Sequence, residues 1–384
     1  MPELTPSFVM QYERRMRAMT EVEYVRRLAA KNTWWNKVLR TIDIEGKSER
    51  VTWLLSTAFI EPVGPSGSGT ISFEDLVTQS VEYPVMRHGK GIKVQRDQVE
   101  DLNGTGLNVL AEWSQQIGSD MAYYPQRLGA QLILNGAATD GTANAYDGLP
   151  FFSDNSAPHL NNPFKSGSGS YANWLHGSSS GTYPGALAID ESVTVDVALQ
   201  NLGKAISYVA SLKMPNGIDP RFLTPAYVMA PPRMAPRLRE LTKAKIIAQM
   251  ANGSGGGGAD VEALITGWGL GEPVIAQEFA ASTTYNFQVA TANPTTGVLS
   301  TKSATATGSD TSWYLVCQEM NTTQLGGLLH VMRKPFKVTY YSGDSGGTGL
   351  DAVLDRANEL EYHVQGRMSV QYGHPYTIFR IDNN

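Results

Sequence analysis

Cysteine is almost absent: Cys317 is the single one in 384 residues. One thiol excludes an intramolecular disulfide and a cysteine-built metal knot. Its setting, the apolar run WYLVC, predicts a buried and inert thiol rather than a nucleophile. A basic surplus is missing too, since 31 Lys and Arg stand against 36 Asp and Glu for a net charge of −5. Phosphate backbones are held by Lys and Arg, so a nucleic-acid-coating role is excluded; walling off DNA without gripping it is not. No apolar run reaches membrane-spanning length, and the opening MPELTPSFVMQYERRMRAM lacks a signal core. These absences suit a protein made and kept in a reducing cytoplasm, or in something assembled there. His88, His159, His176, His330, His363 and His374 form no HxxxH, HxH or HExxH spacing, so neither a metal site nor a cofactor is expected.

Two short strings invite chemistry and fail on context. Residues 64–70, GPSGSGT, come one lysine short of a phosphate-binding loop, because Gly69 runs straight into Thr70. That lysine supplies the charge on the outer phosphates, and no helix with the right apolar spacing follows. GDSGG at 343–347 is similar to the nucleophile segment of trypsin-like proteases and would make Ser345 the nucleophile. The Ala-His-Cys segment around the base, the proline after the second glycine and the cysteine framework are all missing. Glycine-rich strings between strands are more simply turns. Adjacent acids such as Glu100-Asp101 read as helix-start electrostatics. The expectation is a protein that is not an enzyme.

What is present is a folded chain with many turns, since Gly (38) and Pro (20) run high together around an ordinary apolar content. Its length suits two or three structural units, and no internal repeat is visible. Thr20-Glu-Val-Glu23 has the pattern of a capping box, with Val22, Val25, Leu28, Trp35 and Leu39 at helical spacing behind it. Trp34 and Trp35 must bury, either in the chain's own core or against a neighbouring subunit. Residues 50–60 and the stretch from Ile71 to Asp97 predict two strands of a long hairpin around the Gly/Ser tip. Apolar spacing from Leu107 predicts a long helix to Asn135-Gly136, kinked or split at Pro125. Further expectations are an irregular 136–188, a helix near 190–212, a strand at 226–230 and a helix near 234–250. A spacer at 255–258 and an exposed polar loop over 290–310 follow. In ELEYHVQGRMSVQY, Tyr362, Val364, Met368, Val370 and Tyr372 alternate with polar residues, which predicts a strand with one buried face.

The order VQRDQVEDL (94–102), QLILNGA (131–137) and YDGLPFF (146–152) resembles the Mu-like phage major head subunit, the gpT-like capsid proteins. The positions that carry it are Arg96, Asp97, Glu100 and Asp101, then Asn135 and Gly136, then Tyr146, Asp147, Gly148, Phe151 and Phe152, with His159 soon after. The strand, Pro-Pro and helix at 226–250 and the terminal GRMSVQYGHPY add to it, while 250–345 matches only in general layout. His159 departs from the family pattern in following SDNSAP rather than an acidic-His-Pro step.

The resemblance implies an α+β fold of the Hong Kong ninety-seven type. It implies an N-terminal arm (1–45), an E-loop hairpin (46–100) and a peripheral domain with spine helix (101–222). An axial domain (223–327) and return strands of the peripheral domain (328–384) complete it. It implies a major capsid protein that self-assembles as pentamers and hexamers of an icosahedral shell around double-stranded DNA, in the virion after assembly in the host bacterial cytoplasm. Intersubunit contacts are expected at the hairpin tip, Gly64, Pro65, Ser66, Gly67, Ser68, Gly69 and Thr70, and at Trp34 and Trp35 of the arm. About fifty residues precede the hairpin, so a separate scaffold is expected rather than a fused one, with a portal and a decoration protein as further partners. No membrane partner and no N-terminal maturation cleavage are expected. An encapsulin-like compartment shell is the nearest rival and a serine hydrolase using Ser345 the distant one.

Overall fold

The computed structural model describes residues 6–30, 33–54, 78–95, 105–162, 167–177, 183–215, 217–243, 270–292, 299–319, 326–340 and 359–384. The hairpin tip 64–70, the GDSGG segment, the 255–258 spacer and the quartet Arg96, Asp97, Glu100 and Asp101 lie outside the described residues.

Helix α1 (Pro6–Leu28) begins well before Thr20, which corrects the capping-box reading. Thr20 is an interior residue whose hydroxyl donates to the Met16 carbonyl at 3.0 Å. The expected apolar face is also turned the wrong way: Val22 is 67% and Val25 62% exposed, while Met16, Thr20 and Glu23 are buried. These three lie three and four apart, on the side that packs against the long helix described below. Polar groups are tolerated there because each is satisfied. Arg26 and Arg27 bond the Glu23 carboxylate at 2.7–2.8 Å, and Arg26 above all holds its pKa down to about 2.

After a single turn, α2 (Trp35–Val38), strand β1 (Leu39–Asp43) starts the first sheet. Strands β2 (Ser48–Leu54) and β3 (Thr78–Pro84) pair antiparallel from Ser48↔Pro84 to Leu54↔Thr78, which is the base of the expected hairpin. Past Val85 the chain re-enters the body as β4 (Met86–Gln95). Helix α3 (Thr105–Asn135) has 31 residues and is about 46 Å long. It runs unbroken through Pro125 instead of splitting. Beside the turn that the proline weakens, the Ala122 carbonyl accepts the Trp35 indole N–H at 3.1 Å.

The 136–188 stretch is irregular as expected, holding only β5 (His159–Leu160), β6 (Ser170–Tyr171) and β7 (Trp174–Leu175) among its described residues. Then come α4 (Val195–Ala210), capped by the Thr194 hydroxyl, β8 (Leu223–Ala230) and α5 (Ala235–Lys243). Strand β9 (Val274–Ile275) leads to β10 (Thr284–Ala292) and β11 (Leu299–Thr307). This ribbon corrects the expected polar loop over 290–310. Its strands pair from Thr284↔Thr307 to Ala292↔Leu299, and Val289, Ala304 and Ala306 are buried. Threonine favours the pleated backbone, and alanine every second residue suffices for a shallow buried face.

Strands β12 (Ser312–Glu319), β13 (Leu328–Tyr340), β14 (Glu359–Tyr372) and β15 (Ile378–Asp382) complete the chain. One sheet has the order β1-β13-β14-β4 and another β7-β15-β12-β8-β9, so the architecture is mixed α+β. Strands β13 and β14 form the centre of the first sheet, but β15 crosses to the second and pairs antiparallel with β12. Helix α4 belongs to the second sheet too: Ala198, Leu202, Ala205 and Val209 form one core with Val228, Trp313 and Phe379. An apolar helix stripe takes the nearest sheet face that covers it, whatever its place in the chain. The buried thiol of Cys317 lies in the same core, and burial pushes its pKa up.

Candidate functional site

The YDGLPFF segment sits where the end of α3 meets both sheets. Gly136 closes α3, and a Cβ there would stand 2.5 Å from Cδ2 of Phe152, so only glycine lets the phenylalanine lie against the helix end. The Phe152 amide donates back to the Gly136 carbonyl at 2.7 Å, and Phe151 to Ala143 at 2.7 Å. Gly148 turns the chain at φ +83°, a left-handed value that favours glycine. The two phenylalanines then split between the sheets. Phe151 stacks on Tyr372 of β14 at 4.9 Å, and Phe152 meets Tyr314 of β12 at 5.8 Å. The Tyr372 hydroxyl ties the arrangement to α3 by donating to the Leu132 carbonyl at 2.9 Å.

The polar half of the segment is equally closed. Asp147 accepts the Leu149 amide at 3.2 Å through one oxygen and faces His159 Nδ1 at 2.7 Å through the other. His159 is fully buried, and its Nε2 points at the Phe151 carbonyl at 3.3 Å. Tyr171 stacks on its ring at 5.4 Å, and Tyr376 meets Tyr171 edge-on at 6.3 Å. The buried Arg221 guanidinium lies 3.6 Å from the centroid of Tyr376. Tyr146 packs with Ile44, Tyr83, Leu329 and Val331, and burial, then the nearby Asp147, pushes its hydroxyl up to about 12.

Chemically this is a fastener. Its carboxylate and both imidazole nitrogens face partners within the chain, and each donor or acceptor so used is unavailable to a substrate. Among the described residues no group of three or more His, Cys, Asp or Glu is placed to hold a metal ion. The remaining buried histidine of the first sheet, His330, bonds Thr41 at 3.2 Å and is pushed down to about 4 by burial.

A family model described as phage capsid protein matches residues 78–381. The chain belongs to the phage capsid protein family. The match opens on the first residue of β3 and closes within β15, so it reaches both sheets, leaving out β1, and covers the whole YDGLPFF junction. Among solved structures the chain is similar to the procapsid of bacteriophage JBD30, at 14% identity over 99% of this chain and 77% of that one, with a TM-score of 0.43. It is similar to the mature capsid of bacteriophage PhiM1 at 12% identity over 92% and 87% of the two chains, TM-score 0.49. The virus-like particle from Pyrococcus furiosus is similar at 12% identity over 95% and 98%, TM-score 0.44. None of the curated proteins matches the sequence.

In this capsid chain the residues of the resemblance that fall in YDGLPFF, Tyr146, Asp147, Gly148, Phe151 and Phe152, are brought together at one junction, and His159 joins them through Asp147. A histidine outside the segment in sequence thus closes it in space. Trp34 is taken up by its own chain and is 2% exposed, which leaves it no surface for a neighbour. Trp35 is partly buried beside His330, its indole ring edge-on at 5.5 Å. Sequence reasoning did not find what holds Trp34. Its amide donates to Gln126 Oε1 at 2.9 Å, and Gln126 Nε2 donates to Glu278 at 2.6 Å. Those residues are far apart in the chain and carry no local pattern.

Proposed function

We propose that the chain is the major head subunit of a tailed double-stranded-DNA phage, close to the Mu-like group, with a Hong Kong ninety-seven-type fold. It assembles as pentamers and hexamers into an icosahedral shell. The observation that carries this reading is the capsid-family match across both sheets. The two-stranded β2–β3 ribbon supports it, because such a ribbon is marginal alone and gains from a neighbouring surface to lie on. Many weak contacts of this kind sum to a stable shell. The tip residues 64–70 are proposed to touch the next subunit, with a separate scaffold, a portal and a decoration protein as partners in the host cytoplasm. A net charge of −5 lets packed DNA slide along the inner wall.

The test is size-exclusion chromatography with negative-stain microscopy of the expressed chain. Shells, sheets or capsomers support the reading, and a stable monomer under all conditions counts against it. Deleting 64–70 is expected to abolish shells while leaving the subunit folded; normal shells from that deletion would overturn the role of the tip.

A further inference from the structure

A groove of about 590 Å³ lies between α3 and β4, away from the junction. Its walls are half-buried aromatics, Trp113 and Tyr124 from α3 and Phe336 from β13, and its apolar floor includes Ile117 and Val364. Tyr124 and Phe336 meet edge-on at 5.5 Å, and His88 fixes Tyr124 through a 2.6 Å bond from the phenol to Nδ1. The rim is cationic. Arg87 and Lys90 are exposed on β4, and Arg127 lies 4.8 Å over the Tyr124 ring. One lining carboxylate, Asp120, faces these cations and already accepts Arg127 at 3.1 Å. The rim is therefore positive on a chain whose net charge is negative. Strand β4 is the edge of its sheet: among the described residues it pairs on one side only, with β14.

We propose that this groove docks an extended acidic peptide with aromatic or leucine anchors, carried by another protein of the capsid. Its backbone would add along the side of β4 that has no partner strand among the described residues. Its apolar side chains would enter between Trp113, Tyr124 and Phe336, and its carboxylates would meet Arg87, Lys90 and Arg127. The volume fits a few side chains. Duplex DNA suits the site less well, because a phosphate backbone has nothing to place on the apolar floor. The inference rests on capsid-family membership and not on the head geometry proposed above.

The probe is a short fluorescein-labelled peptide alternating glutamate with phenylalanine, with a glutamine-for-glutamate version as control. Fluorescence anisotropy is read on the full chain, with shell formation followed in parallel by negative-stain microscopy and folding by circular dichroism. The acidic peptide is expected to bind, to weaken as salt rises, and to lose at least about tenfold in affinity to the folded Arg87→Glu/Lys90→Glu variant. Shells are expected to form as before. Failure of the acidic peptide to bind, equal binding of the two peptides, or unchanged affinity in the variant overturns the proposal. So does duplex DNA binding in its place with the same sensitivity to the variant. If the variant stops making shells while still holding the peptide, the rim belongs to a contact between copies and the proposal also falls.

Discussion

Helix α3 serves two aromatic clusters, and they differ in what covers them. At its C-terminal end Phe151 and Phe152 are 0% and 1% exposed, stacked on Tyr372 and against Tyr314 with both of their own amides bonded inward. Midway along the same helix Trp113 and Tyr124 stay half-buried with Phe336 and carry cations on their rim. The sealed cluster joins the two sheets of one subunit. The open one keeps apolar surface and charge facing outward, as a surface awaiting a partner does.

The most severe way to test that contrast is to empty the sealed cluster. Phe152→Ala should cost ~3–5 kcal/mol, because the surrounding sheets cannot collapse onto the hole. Phe336→Ala in the open cluster should cost clearly less, since its ring already meets solvent on one side. Denaturant unfolding of the two variants checks the order, and equal losses would erase the distinction between the clusters. Asp147→Ala is expected to cost ~1–3 kcal/mol, because it leaves Nδ1 of the buried His159 ring without its hydrogen-bond partner. If Asp147→Ala unfolds with the wild-type midpoint, the pair is not the fastener described above.

Histidines carry the contrast into pH dependence. His88, at the groove, has both ring nitrogens engaged, by Tyr124 and by the Met368 carbonyl. His330 is sealed under the first sheet, its Nε2 has no partner among the described residues, and burial depresses its pKa from 6.5 to about 4. Above pH 6.5 the ring is neutral folded and unfolded, so its contribution is fully present. As pH falls below 6.5 the unfolded chain takes up a proton that the folded chain refuses until about pH 4, and up to ~3 kcal/mol is lost across that window. His330→Asn should flatten the loss, seen as a smaller drop in unfolding midpoint between pH 7 and pH 4.5. His374, also held well below its usual value by burial and then by Arg221, leaves a residual acid sensitivity in that variant. An unchanged pH profile would show that His330 is not the group being titrated.

These differences were unevenly legible in the amino-acid order. Strand β14 announced itself, because Tyr362, Val364, Met368, Val370 and Tyr372 alternate and all are buried. The long helix was equally plain, since its apolar spacing reaches from Leu107 to the Asn135-Gly136 stop. The YDGLPFF junction came only from resemblance: no periodicity says that adjacent phenylalanines serve different sheets. Val22 and Val25 misled because which side of α1 is buried depends on its fit to α3, a contact between distant segments. The β10–β11 ribbon hid behind a polar composition, and β15 crossed sheets with nothing local to mark it. The groove could not be read at all, because the β4–β14 register and the course of α3 bring its walls together.

The smallest expected effect is the most telling about the open cluster. Arg87 and Lys90 are exposed on an edge strand, so reversing both charges should change subunit stability by no more than ~0.5 kcal/mol. Arg87 reaches Gln365, a neutral partner that a glutamate at 87 can still meet through the glutamine amide. Matched unfolding curves for Arg87→Glu/Lys90→Glu and wild type would mean that the fold does not need this charge, so that its use lies in contact with another molecule. A loss approaching that of Phe152→Ala would place the rim inside the subunit's own stability and make the two clusters alike.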